Sequence, residues 1–287
     1  MSKIIGVVLK DNSNHGLTHD FFAAILEGFR QECNKEGYSI AFLNQDMPKD
    51  NPEYETLLEQ VKNNDYKGVF ITCASDDDEI MELVNSDVAV VALDKGYENA
   101  VNVVSDNVKG MHDMTEYIIS MGHRRIAIIT GDDNRVSSLR LNEFIRVCEN
   151  HGIAVTDDYI LRGQFRDIDK TSYLTEKLLK SDNPPSCIIF SDDYASIGGV
   201  NVIHARGLEI PKDVSIVGYD GNETLSKLEP SLTTVVQNSN EIGKKAAEAL
   251  IYHITNPQDT NYEDIVVEST LNIGRSVVRV YDNLHKA

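Results

Sequence analysis

At 287 residues the chain is long for one compact core and comfortable for two. Its 41% hydrophobic and 25% charged residues describe an ordinary globular protein, and no run approaches the roughly 18 apolar residues that a membrane span needs. With 27 basic against 46 acidic residues the formal charge is −19, which repels phosphate and argues against direct nucleic-acid binding by this segment.

The start, Met1-Ser2-Lys3, enters an apolar run at once and leaves no room for a signal peptide, so a cytoplasmic setting is expected. Short Val/Ile-rich runs then alternate with helical patterns, the signature of parallel βαβ units. The pattern predicts a strand over 4–9, and a helix over 18–36 capped by Thr18 and stopped by Gly37. Strands follow at 38–43, 68–73 and 88–93, with helices at 53–62 and 76–85 between them. A short edge strand is expected at 101–104, and a helix over 108–121 ends at Gly122.

The pattern then begins afresh. Strands are predicted at 125–130, 159–161, 186–190 and 214–219, with helices at 136–150, 168–180 and 192–206. The tail adds a strand at 233–236, a helix at 241–254 and a strand at 265–267, too few elements for a third core. It is more economical for the tail to return to the first lobe and finish on the second. The expected fold is therefore α/β, two similar doubly wound parallel-sheet lobes joined by a three-crossing hinge near Gly122, Gln237 and Thr270. The lobes are 1–122 with 238–269, and 123–237 with 270–287.

Motifs of catalysis are missing. There is no GxxxxGKS/T phosphate loop, no GxGxxG, no GxSxxG and no HExxH, and the eight histidines are scattered. No catalytic residue, cofactor or metal is assigned. Cys33, Cys73, Cys148 and Cys187 show no metal spacing and read as buried hydrophobes. The run Asp76-Asp77-Asp78-Glu79 invites a cation, but acids that open a helix complement its dipole and explain the run more simply.

Polar and aromatic residues do gather just past strand ends, where ligands sit in open α/β sheets. After the first strand come Lys10, Asp11, Asn12, Asn14 and His15, then His19-Asp20-Phe21-Phe22; Asp94-Lys95 follows the strand at 88–93. In the second half the positions are 131–134 leading to Arg140, then Ser191-Asp192, and Asp220. Carboxylates accept hydroxyl protons, Arg and Lys donate to hydroxyl or ring oxygens, and aromatic faces stack on a sugar's C–H side. Taken singly, each is as well explained as a cap, a turn residue or core; their common topological place is the stronger sign.

The segment Gly122-His123-Arg124-Arg125-Ile126-Ala127, with Arg140-Leu141 and Phe144 beyond it, resembles the LacI/GalR family of transcription regulators. So do Pro211 with Asp213-Val214-Ser215-Ile216-Val217-Gly218-Tyr219-Asp220, and Pro230 with Leu232-Thr233-Thr234-Val235. The resemblance spans the effector-binding core, which is similar in fold to periplasmic sugar-binding proteins (type I). It implies ligand contacts at His19, Phe21, Phe22, Asp94, Lys95, Arg140, Phe165, Ser191, Asp192, Asp220 and Gln237, beside the Asp11 read from its strand end. His19 and Ser191 each stand where the family commonly has Asn, so the effector need not be a standard hexose or pentose. The family's helix-turn-helix headpiece is absent from the chain, and the abrupt start favours trimming to the core.

The resemblance further implies a homodimer that meets operator DNA through that missing headpiece, with no membrane partner. A sugar-like effector would bridge Asp94 and Phe22 to Arg140 and Asp220 and favour closure of the lobes. Two rivals share features of the chain. One is a solute-binding protein of a transport system; the other is an enzyme acting on a sugar or nucleotide.

Overall fold

The computed structural model describes residues 3–9, 16–44, 47–73, 77–227 and 229–281. In chain order the elements begin with β1 (Ile4–Leu9), α1 (Asp20–Lys35), β2 (Ser39–Phe42), α2 (Leu57–Asn63) and β3 (Gly68–Cys73). They continue with α3 (Asp78–Val84), β4 (Ala89–Leu93), β5 (Val101–Ser105) and α4 (Asn107–Ser120). Next are β6 (Ile126–Thr130), α5 (Arg135–Asn150), β7 (Ile160–Arg162), α6 (Ile168–Leu179), β8 (Cys187–Ile189) and α7 (Asp193–Ala205). The last are β9 (Ser215–Asp220), β10 (Thr233–Gln237), α8 (Ser239–Thr255), β11 (Ile265–Val267) and β12 (Ser269–Asn272).

The chain divides into two units. The first runs to Ser105 and resumes over Asn238–Val267; the second takes Asp106–Gln237 and resumes at Glu268. Each is built on a six-stranded sheet, in the orders β11-β5-β4-β3-β1-β2 and β12-β10-β9-β8-β6-β7. Every pairing is parallel except β10 with β12. Strands buried on both faces need apolar residues throughout, and β5 and β6 are buried along their whole length.

In the first unit, α1 turns Ile25, Leu26, Phe29 and Cys33 inward, and α8 answers with Ile242, Ala246, Ala247 and Leu250. Phe29 stacks on Phe70 of β3 at 4.4 Å. The opposite face of that sheet is covered by Leu57 and Val61 of α2 with Ile80, Leu83 and Val84 of α3. The helices α1 and α8 meet backbone to backbone. A Cβ built on Gly243 would lie 1.9 Å from the Ile25 carbonyl oxygen, and one on Gly28 2.1 Å from the Asn240 carbonyl oxygen.

The second unit follows the same plan, with α4 and α5 on one face and α6 and α7 on the other. Here the structure corrects the expected boundary at Gly122. Met111, Met114, Ile118 and Ile119 of α4 pack with Phe144 and Val147 of α5, so α4 belongs to the second unit and the first ends at Ser105. The other two passages fall between 237 and 238 and between 267 and 268. The strand at 101–105 is not an edge either, because β11 lies outside it in parallel register. A further strand, β12, was not predicted; it runs antiparallel on β10.

Several helix starts share one device. Asp77, Asp106, Asn134, Asp167 and Asp192 each accept the backbone N–H three residues on, closing the first turn of α3, α4, α5, α6 and α7. Thr56 forms a reciprocal capping box with Glu59, which is why α2 starts at Leu57 rather than at the predicted 53. Thr18 does not cap α1 as expected; His19 holds that place, with extended backbone and no side-chain cap.

Candidate ligand-binding site

In a sheet wound in this order the strand direction of travel reverses between β6 and β8, and the crevice beyond their carboxyl ends is a natural ligand site. The second unit has a small cavity there, about 10 Å³, on the order of one water. Gly131 after β6, Phe190 and Ser191 after β8, Tyr219 of β9 and Arg140 of α5 are among its lining residues.

Arg140 is the centre of the arrangement. Its Nε donates to Asn107 Oδ1 at 2.8 Å and its Nη1 to the Ser191 carbonyl at 3.2 Å. The guanidinium carbon sits 3.5 Å from the centre of the Tyr219 ring and 5.8 Å from that of Phe165. Such stacking suits a weakly hydrated, planar cation held away from bulk water. Close packing around it explains two glycines. A Cβ on Gly131 would lie 2.3 Å from the Phe165 ring, and one on Gly110 2.5 Å from the Tyr219 hydroxyl. Ser137, one turn before Arg140, points a buried Oγ that has no partner among the described residues.

The acids divide by role. Asp192 is buried and fully engaged: Oδ1 accepts from Ala195 N at 2.7 Å, and Oδ2 from Arg166 N and Ser191 Oγ, both at 2.9 Å. Asp193, also buried, accepts from the Thr234 hydroxyl and from Asn222 N, each at 2.6 Å, and ties α7 to β10. Asp220 is partly buried and left-handed at φ 106, and Gln237 Nε2 donates to its Oδ1 at 2.7 Å. The Gln237 Oε1 is buried without a partner among the described residues.

Burial, and after it the charge of Asp192, raise the Asp220 carboxyl from 3.8 to about 7, against the pull of Arg140 and the Gln237 amide. Burial first, and then the charge of Asp220, also lift Asp193 well above the usual carboxylate range. The folded state thus keeps a proton on Asp220, between about pH 4 and about 7, that the unfolded state has released. The part of the stability that Asp220 contributes therefore falls as pH rises through that window. Asp220→Asn is expected to flatten that part of the profile and to melt higher than the unaltered protein at pH 8. Melting curves from pH 5 to 8 check this; parallel profiles for the two proteins would refute it.

In the first unit, His19 stands at the head of α1 with its ring edge-on to Phe22 at 4.8 Å and to Phe21 at 6.2 Å. Phe21 and Phe22 both pack partly into the core, as their apolar character requires. Asp94, directly after β4, is left-handed at φ 52, and its N–H donates to the Val103 carbonyl at 3.0 Å. Lys95 beside it is half-buried. Asp11, with Lys10, Asn12, Asn14 and His15, lies outside the described residues.

The predicted residues therefore fall in two groups, one at the strand ends of each unit. Asn107, Ser137, Arg166 and Tyr219 were not predicted. Ser137 and Arg140 share a helix face at i, i+3, a signal that was available; the other three are set by packing across the chain.

Asp77 of the acidic run caps α3, and Asp76 lies outside the described residues. Among the described residues no group of three or more His, Cys, Asp or Glu could hold a metal ion. No described helix is long and apolar enough to cross a membrane. Cys33, Cys148 and Cys187 are buried and unpaired by disulfide, and burial pushes the Cys33 and Cys148 thiols up to about 12.

Residues 115–277 match the family model of the periplasmic binding protein-like domain. The chain is 28% identical over 290 residues to a probable HTH-type transcriptional repressor, ExuR, of Bacillus subtilis, covering 97% of this chain and 82% of that one. A solved LacI transcriptional regulator from Bacillus cereus subsp. cytotoxis has a TM-score of 0.86 at 24% identity, covering 98% of this chain and 100% of that one. A LacI family regulator from Enterococcus faecium, solved with bound ribose, has a TM-score of 0.80 at 23% identity, with 97% and 100% covered. At these identities the solved structures speak for the fold, which is the type I periplasmic-binding-protein architecture. The family match spans more than half of the chain and takes in the signature segments around 122–131 and 211–220. The chain belongs to the periplasmic binding protein-like family, as the ligand-sensing core of a LacI/GalR-type transcriptional regulator.

Proposed function

We propose that the core binds a small carbohydrate-like effector without chemical change, and that binding alters the operator affinity of a dimeric regulator in the cytoplasm. The observation that carries this reading is Arg140, a buried cation stacked on Tyr219 beside Phe165, Ser137 and Ser191, at the strand ends where such sheets take ligands. Donor, hydroxyl and aromatic face are the three things a polyol needs. Asp220 and Gln237 add an acceptor and an amide. His19, Phe22, Asp94 and Lys95 carry the same chemistry at the strand ends of the first unit and are proposed as effector contacts as well.

Binding shifts the balance of conformations only by its difference in affinity for them, which is the currency of the switch. The homodimer belongs to the proposal because two operator half-sites call for two copies. A thermal-shift screen of sugars, sugar acids and sugar phosphates tests the reading. A true effector at a hundred times its Kd adds about 2.7 kcal/mol to the stability of the native state. It is expected to be recovered unaltered, and light scattering is expected to give twice the chain mass. A panel with no stabilising member would defeat the reading, as would steady turnover of the best ligand.

A further inference from the structure

Arg166, next to the cavity-lining Phe165, is one of the residues that family likeness did not point to, and its surroundings are unusual. It follows Phe165 in the link between β7 and α6 and is held left-handed at φ 58, a conformation few non-glycine residues adopt. Its own N–H is fixed by Asp192 Oδ2 at 2.9 Å. Its guanidinium carbon lies 4.2 Å from the centre of the Tyr194 ring. The backbone is therefore clamped and the side chain is laid against an aromatic face.

The guanidinium is nevertheless unfinished. Among the described residues its buried Nε has no hydrogen-bond partner and no carboxylate lies within ion-pair distance, although its charge is felt by Asp220. Arg140, partnered by an amide and a backbone carbonyl, has no carboxylate ion pair either. Elsewhere in this acidic chain, Arg30, Arg146, Arg206 and Arg275 all find a glutamate. Arg124, Arg125 and Arg279, which donate to carbonyls, are exposed. A buried guanidinium N–H that lacks an acceptor is costly, and the natural remedy is an acceptor brought by the ligand.

We infer that Arg166 is a specificity-determining residue and that the effector carries a carboxylate, which takes the Nε–H and one Nη–H of Arg166 side-on. This deepens the proposed function and rests on it. The planar fork fits carboxylate and phosphate oxygens alike. The neighbours decide between them. Asp192, Asp193 and Asp220 crowd the same strand ends, and any of them that is ionised opposes a second negative charge there. A single negative charge meets less opposition than the near-dianion of a phosphate monoester. The effector is accordingly read as a sugar acid rather than a neutral sugar or a sugar phosphate.

The test uses calorimetric titration with glucose, mannose and galactose, their C6-oxidised acids, and their 6-phosphates, against the unaltered chain, Arg166→Gln and Arg166→Lys. The expected result is tightest binding by an acid, lowered roughly 10- to 100-fold in Arg166→Gln. Arg166→Lys keeps the charge without the fork, should fold at least as well, and is expected to fall between the two. Affinity for the neutral parent sugar should change by less than about threefold, as befits a contact made only by the acid group. Tightest binding by a neutral sugar or a phosphate overturns the inference while leaving the proposed function standing. So does an acid that binds both variants as well as the unaltered chain. Failure of every compound in this series overturns the inference, and failure of the wider thermal-shift panel as well overturns both.

Discussion

Gly243→Ala is expected to loosen the first unit by on the order of 3 kcal/mol, among the largest losses a single added methyl can cause. The new Cβ would stand 1.9 Å from the Ile25 carbonyl oxygen and 2.7 Å from Phe29 N, so the neighbour that must yield is main chain of α1 and not a flexible side chain. Alanine's better helix propensity returns only about 1 kcal/mol. Gly28 faces Asn240 in the same way from the other helix, so the pair has no slack to share. Because the chain holds two units, one unfolding free energy would be ill-defined, and hydrogen exchange read segment by segment is the better measure. Protection is expected to drop in α1 and α8 and to persist in α5 and α6. Glu248→Ala, on an exposed position of α8, is the control. Equal protection in Gly243→Ala and the control would show that the two helices are not in fact held by this close approach.

Arg140→Ala should cost at least about 100-fold in effector affinity, since hydrogen bonds to a charged group contribute about 1.5–3 kcal/mol apiece and more than one is lost. Arg140→Lys is the more informative variant. It preserves the charge but cannot span Asn107, Ser191 and the Tyr219 face with one rigid plane, and it is expected to fail nearly as badly. Titration calorimetry with the best compound from the screen gives the affinities, after circular dichroism has shown that each variant folds. Binding by the alanine variant within about threefold of the unaltered chain would remove Arg140 from the site, because a hydrogen bond from a buried charged group contributes more than that.

Much of the fold could be read from the order of apolar runs, and the reason is local. The strands at 4–9, 68–73 and 265–267 are short apolar runs between turn signals, and each appears where expected. What escaped depends on partners far away in the chain. Val101–Ser105 looks like an edge until β11, from residues 265–267, lies down beside it. Ser269–Asn272 has too little apolar character to announce a strand and becomes one by pairing with β10. The helix at 107–120 reads the same whichever unit it joins, and its allegiance is settled by Phe144 and Val147.

The site shows the same division. Ser191 and Asp220 could be proposed from position, because topology alone puts strand ends together, whereas Arg140 lies within α5 and was marked by the family resemblance. Their individual duties could not. Asp192 looks like a ligand carboxylate, yet its oxygens already serve Ala195, Arg166 and Ser191. Tyr219 reads as one more strand residue until Arg140 is laid on its face.

The way the chain leaves the first unit at Ser105 and returns at Asn238 sets a timetable for its synthesis. When Ser105 emerges from a ribosome, β1 to β5 are complete but α1 still lacks α8, and the outer side of β5 lacks β11. About 130 residues must follow before α8 appears, on the order of ten seconds at typical elongation rates. During that interval Phe29, Ile25 and Leu26 have no covering helix, whereas the second unit gathers nearly all of its strands in one uninterrupted stretch. The half that is made first is thus the half that finishes folding late, and it is there that a nascent chain of this protein would need shelter.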